Sequence, residues 1–299
     1  QNDELNCGLL TCDTFCRCSF GDVTNNDACY EKALEVSNDK SARAKRSLAR
    51  SAYNIGEYET SKILWEAAMA LNSLYPDGWF ALGAAALKAR DVEKALDGFT
   101  RAVQLDPDNG EAWNNIACLH MIKKKSKEAF IAFKEALKFK RNSWQLWENY
   151  SHVALDVGNI GQALEAVQMV LNMTNNKRID TELLERIVLD LEGRTSIMGR
   201  SRENEHLMEF LGKILQQGSD LWKERDRFKR FSHASLELCK VYMEICSSSG
   251  SCRELFAAEM HLKNVLKQAE GFSDMEEFRD LQAWLDEVKK KLKSGPVAT

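Results

Sequence analysis

Proline is scarce: the 299 residues hold only Pro76, Pro107 and Pro296. Each interior proline costs a helix about 3 kcal/mol, so a chain poor in proline and rich in Ala, Leu, Glu and Lys is expected to be all-α, and a mainly β fold is excluded. Long apolar runs are missing too. The longest, Trp79 to Leu87, falls far short of the ~20 residues of a spanning helix, which excludes an integral membrane function. Charge of one sign is also lacking. With 41 basic and 45 acidic side chains and a net charge of −4, no global field draws the chain onto nucleic acid or an anionic bilayer. Neither direct nucleic-acid binding nor membrane attachment is expected.

Catalytic signatures are equally thin. There is no Gly-rich phosphate loop, no HExxH and no paired CxxC, and the five histidines (His120, His152, His206, His233, His261) lie far apart. No enzyme activity, cofactor or metal is expected. Of nine cysteines, four crowd the start of the chain, Cys7, Cys12, Cys16 and Cys18, with gaps that fit no usual structural zinc site. Residues 1–28 are expected to form an irregular Cys-rich segment. The odd cysteine count, with no basic start followed by an apolar stretch, predicts free thiols in a reducing cytoplasmic or nuclear compartment. A chain that opens on Gln1 rather than Met is expected to be a fragment or an incomplete gene model.

What is present is a period. Trp79, Trp113 and Trp147 are evenly spaced, and Trp65, Phe99 and Phe133 keep the same interval. Cutting the chain at that interval from Ala42 gives ungapped units 42–75, 76–109, 110–143 and 144–177. Three columns are nearly all small. The eighth place holds Ala49, Gly83, Ala117 and Ser151; the twentieth holds Ser61, Ala95, Ala129 and Ala163; the twenty-seventh holds Ala68, Ala102, Ala136 and Val170. Small side chains at fixed spacing let two helix backbones approach closely while larger neighbours fill the gaps. Each unit therefore reads as two antiparallel helices. In the second, one helix runs from about Asp77 to Ala89, turns at Arg90-Asp91, and the next runs from Val92 to Leu105, stopping at Asp106-Pro107-Asp108-Asn109-Gly110.

Trp-x-x-Leu-Gly at Trp79 to Gly83 and Ala-x-x-x-Phe-x-x-Ala at Ala95 to Ala102 resemble the tetratricopeptide repeat. The resemblance implies a right-handed superhelix over residues 29–177, with a truncated unit ending at Tyr30 to Val36. After Lys177 the phase is lost, and residues 178–299 are expected to form degenerate helical repeats and a capping helix. Helices are expected over Ile179 to Leu191, Glu203 to Gln216, Ser219 to about Ser247, Arg253 to Ala269 and Asp274 to Leu292, with a loop at Gly193 to Arg202. Ser273-Asp274-Met275-Glu276 has capping-box spacing, and Lys289, Lys290, Lys291 and Lys293 suit a helix C-terminus.

Trp113-Asn114-Asn115-Ile116-Ala117, Ser235 to Tyr242 and Ala258 to Lys263 further resemble the tetratricopeptide repeat protein 27 family. That resemblance spans Asp27 to Thr195 and Gly218 to Leu292, and fails at Gln1 to Phe20 and Ser196 to Gln217. It implies assembly of ribonucleoprotein particles alongside chaperones.

Residues at the second, fifth, ninth, twelfth and thirteenth places of each unit are expected to line a concave wall built by the first helices. The wall runs from basic Arg43, Arg46 and Arg50, through apolar Phe80, Leu87, Met121 and Ile122, to Glu148, His152, Leu155 and Asp156. An apolar centre between opposite charges suits an extended or helical protein segment. Asn115 and Asn149 share the sixth place and are expected to grip a partner's main chain, with Arg46 and Arg50 favouring acidic residues. The alternative for these asparagines is bonding within their own repeat.

Bolder readings compete with plainer ones. The aligned tryptophans could stack bases, but their columns suit packing between helices. Asp106 to Glu111 looks faintly like a calcium loop and Gly158-Asn-Ile-Gly161 like a phosphate cradle, yet both fall at turns. The two-carboxylate clamp that holds chaperone C-termini is not expected, because Arg46, Arg50, Ala81, Glu111 and Asn115 stand at its places. A non-enzymatic scaffold that binds protein partners is the reading the residues favour. The alternative, a protein prenyltransferase α-like subunit, would want Arg three residues after Trp, where Ile116 and Tyr150 stand instead.

Overall fold

The structure is a computed structural model that describes residues 2–175, 180–198, 212, 225–249 and 253–294. Among them are fourteen α-helices and no strand. The chain divides into two compact units, Gln1–Arg141 and Asn142–Thr299, so the boundary falls after the third repeat.

The first unit holds α1 (Asn2–Thr24), α2 (Asp27–Val36), α3 (Ala42–Ile55), α4 (Tyr58–Leu71), α5 (Pro76–Lys88), α6 (Val92–Leu105), α7 (Gly110–Ile122) and α8 (Ser126–Phe139). Every repeat is a helix pair, and several of the helix ends are capped by the sequence. Side chains of Ser41, Asp91 and Asn109 accept from the backbone N–H three residues on, and Pro76 opens α5 where its missing N–H costs nothing. Gly56 ends α3 in the left-handed region at φ 91°.

The small columns form the seams. Ala49, Ala68, Ala95, Ala102, Ala117, Ala129 and Ala136 have no exposed surface. Where serine replaces alanine its hydroxyl is satisfied: Ser61 donates to the Ala49 carbonyl at 2.7 Å. At Gly83 an added Cβ would lie 2.9 Å from the fully buried Phe99 ring. Trp79 and Trp113 are half-buried packing residues, and each indole N–H donates across the inter-repeat turn, to the Ser73 and Pro107 carbonyls, both at 2.8 Å. Ion pairs join neighbouring repeats outside the core, Lys62 to Asp91, Lys94 to Glu66 and Lys123 to Glu93.

The segment 1–28, expected to be irregular, is helical over most of its described residues instead: α1 covers Asn2–Thr24 and α2 begins at Asp27. Nothing in that stretch is a proline, and Gly21 serves packing rather than breaking, since a Cβ there would meet the buried Tyr30 ring at 2.7 Å.

The second unit holds α9 (Trp144–Asp156), α10 (Ile160–Met173), α11 (Thr181–Met198), α12 (Arg225–Ser249), α13 (Arg253–Gln268) and α14 (Glu276–Ser294). The fourth repeat is the α9–α10 pair, capped by Ser143 and closed on Ala163, Ala166 and Val170. The loop expected from Gly193 is corrected as far as Met198, because α11 continues through it; one glycine costs a helix only about 1 kcal/mol. Residues 199–202 of that expected loop, most of the helix expected over 203–216, and 219–224 lie outside the described residues. The final helix begins at Glu276 rather than Asp274, after a 3-10 turn over Glu270–Phe272.

Candidate partner-binding wall

In the second and third repeats the apolar wall residues divide by exposure. Ile122 is 64% exposed and Leu87 37%, whereas Phe80 and Met121 are half-buried. Phe80 packs edge-to-face on Phe99 with centroids 5.3 Å apart, so its ring is held by the core while one side stays open. Asn115 is half-buried, and its amide makes no hydrogen bond among the described residues. The intra-repeat bonding considered for Asn115 and Asn149 is therefore absent there; Asn149 in α9 is likewise half-buried without one.

The rest of the fourth repeat's wall is occupied. His152 donates to Asp180 at 2.9 Å, Asp156 accepts from Arg186 at 2.7 Å, and Leu155 is buried rather than lining an open surface. Asp180 also accepts from the Glu182 and Leu183 N–H groups, capping α11. The hydrogen bond to Asp180 raises the His152 pKa against the opposing effect of burial, and the same bond holds Asp180 below the usual carboxylate range. The folded pKa of His152 lies above its unfolded value of about 6.5. The contact thus stabilises fully below that value and fades as pH rises through the folded pKa. Asp180→Asn keeps an acceptor for the cap but removes the charge, and is expected to lower the His152 pKa in an NMR titration; an unmoved pKa would disprove the pairing.

The basic end of the wall is a cleft of about 630 Å³, lined by Asp22, Asn25, Asp27 and Tyr30 from the α1–α2 side, by Arg43, Arg46 and Arg50 with their polar neighbours on α3, and by Tyr75. Spacing of three and four residues places these arginines on one face of α3. Their partners differ. Arg43 donates to Asp22 at 2.6 Å, and Tyr30 donates to the other Asp22 oxygen at 2.8 Å. The Arg43 bond, then that of Tyr30, holds the Asp22 carboxyl below its ordinary range, and Arg50 adds to this from beyond ion-pair distance. Asp27 accepts from the Ser51 hydroxyl at 2.5 Å. Arg46 lies over the Tyr75 ring, 4.5 Å from its centroid, and its buried Nε has no hydrogen-bond partner. Arg50 is exposed and forms no ion pair among the described residues. The Asp22 partner of Arg43 comes from α1, a helix where the sequence predicts irregular chain.

Among the described residues no group of three or more His, Cys, Asp or Glu is placed to hold a metal ion. Cys12 and Cys16 are exposed and Cys18 is buried; Cys12 pushes the Cys16 thiol up, and burial does the same to Cys18. No helix among the described residues is long and apolar enough to cross a membrane.

Paired helices with small residues at their crossings, repeated at one fixed interval, have the architecture of a tetratricopeptide-repeat array. The tetratricopeptide repeat model matches residues 76–109 and again 110–143, the second and third units. Homologues include the tetratricopeptide repeat-containing protein trd-1 of Caenorhabditis elegans, 33% identical over 58% of this chain and 22% of that protein. They also include a tetratricopeptide repeat protein 27 homolog of Dictyostelium discoideum, 26% identical over 90% of this chain and 36% of that protein. The chain thus spans about a fifth to about a third of the length of these curated relatives. Among solved structures, YrrB, a tetratricopeptide-repeat protein with an unusual peptide-binding site, superposes with a TM-score of 0.51 at 15% identity, covering 66% of this chain and 94% of YrrB.

Proposed function

We propose that this chain is a non-enzymatic scaffold whose first-helix wall holds a segment of another protein during assembly of a larger complex. One observation carries the reading. Ile122 and Leu87 are exposed on the same first-helix wall as Phe80, Met121 and the unbonded amide of Asn115, so the wall carries both apolar surface and a free side-chain donor and acceptor on helices otherwise built to bury apolar groups. In the second unit, taken by itself, Asn149 likewise offers an unbonded amide, while His152 is engaged by Asp180. Arg46 and Arg50 extend the wall with positive charge. The peptide-binding site of YrrB supports peptide capture as a use of this fold. The setting, assembly of ribonucleoprotein complexes alongside chaperones, rests on the resemblance to the tetratricopeptide repeat protein 27 family.

A photo-crosslinking amino acid at position 122 is expected to trap partner segments, while the same group at position 131, an exposed site on second helix α8, traps none. The Asn115→Ala variant should weaken capture about fivefold, one hydrogen bond contributing about 1 kcal/mol, with circular dichroism unchanged. Equal crosslinking from both positions, or capture undiminished by Asn115→Ala, would remove the wall from the account.

A further inference from the structure

The cleft beside α3 has an imbalance that the wall reading leaves unused. Both of its acidic side chains are engaged within the fold, Asp22 by Arg43 and Tyr30, and Asp27 by Ser51. Two of its three guanidinium groups have no acidic partner among the described residues. Arg46 is ordered all the same, because the Tyr75 face holds its plane and keeps Nε out of water. The Asn25 and Asn54 amides also line the cleft without hydrogen bonds among the described residues, and Ile55, 70% exposed, supplies apolar surface at its edge.

Resting on the scaffold reading, we infer that this cleft is the acidic-residue subsite of the wall: it takes an Asp or Glu side chain of an extended partner segment between Arg46 and Arg50. A carboxylate there accepts charge-assisted hydrogen bonds from both guanidinium groups. Asn25 and Asn54 bond the neighbouring peptide groups, and an apolar residue of the segment covers Ile55. The volume suits such an occupant. A cleft of about 630 Å³ admits a few residues rather than a folded surface. Selectivity follows from the same arithmetic: an Asn or Gln in place of the acid leaves two arginines with a neutral acceptor, and a Lys or Arg meets like charge.

The test uses the whole 299-residue chain and a fluorescein-labelled pentapeptide, Asp-Glu-Leu-Asp-Glu with blocked ends, read by fluorescence polarisation against Asn-Gln-Leu-Asn-Gln. The acidic peptide is expected to bind at least tenfold tighter than the amide peptide and to weaken as salt is raised. Arg46→Gln with Arg50→Gln should reduce its affinity tenfold or more, while Arg101→Gln, whose guanidinium pairs with Asp97, leaves it unchanged. Since Arg46 packs on Tyr75, the exposed Arg50→Gln alone serves if the double variant melts early; a threefold or greater loss is expected from it. Equal binding of the two peptides, or undiminished binding by the arginine variants, overturns the subsite. Failure here is separable from failure of the scaffold reading, because crosslinking from position 122 reports on the second and third repeats alone.

Discussion

Gly98→Ala is expected to destabilise the second repeat by about 2–3 kcal/mol, although the same change in an exposed helix would gain about 1 kcal/mol of helix propensity. Gly98 lies in α6, where it crosses α5. A Cβ built there would sit 2.8 Å from the Gly83 nitrogen, 2.9 Å from the Gly83 Cα and 2.9 Å from the Trp79 carbonyl oxygen. All three neighbours are backbone, so no rotamer change relieves the overlap and the two helices must move apart. Separation would in turn loosen Phe99, which is wholly buried and touches Gly83 from the other side. Repeat arrays unfold piecewise, so the loss should appear as faster amide exchange in α5 and α6 before it appears in a global melt. Gly271→Ala is the control. Its Cβ would meet nothing within 4 Å and its φ is not positive, so it should change neither measurement. Unchanged exchange in the Gly98→Ala protein would mean that the α5–α6 crossing is not as close as described.

That crossing also marks where sequence reading stops. The eighth, twentieth and twenty-seventh columns were legible because the same small types recur once in every unit, and every member of them is buried. Gly98 stands in a column shared with Leu64, Ala132 and Ala166, where a large Leu interrupts the small types and nothing singles out Gly98 from the alanines. Its importance comes from standing opposite Gly83, a pairing confined to one repeat. The same limit applies to the wall. Arg46, Arg50, Phe80, Leu87, Met121 and Ile122 could be placed by counting, since helix phase depends only on sequence separation. What covers them could not. Asp180 and Arg186 reach His152 and Asp156 from α11, beyond the last in-phase repeat, and Asp22 reaches Arg43 from a helix whose cysteines suggested irregular chain.

Lowering the pH from 7 to 5 is expected to cost the second unit about 2 kcal/mol of stability through a single side chain, His261. It lies on α13 three residues after Ala258 and four before Val265, is 3% exposed, and neither ring nitrogen has a hydrogen-bond partner. Burial pushes its pKa down from 6.5 to about 4, because a charged imidazole there would have neither water nor an acceptor. Between those two values the unfolded chain binds a proton that the folded chain refuses, so stability rises with pH across the window and falls as acid is added. A pKa difference is worth about 1.4 kcal/mol per unit, which sets the figure of about 2 kcal/mol at pH 5 and about 3 kcal/mol by pH 4. His261→Leu removes the titrating group and two unpartnered nitrogens at nearly constant volume. It should therefore match or exceed the parent's stability at pH 7 and show a shallower decline in acid. Urea melts of both proteins at pH 7 and pH 5 measure the difference directly. Parallel declines would show that His261 takes up its proton within the folded chain, and that water or an acceptor reaches a ring which, in this packing, touches neither.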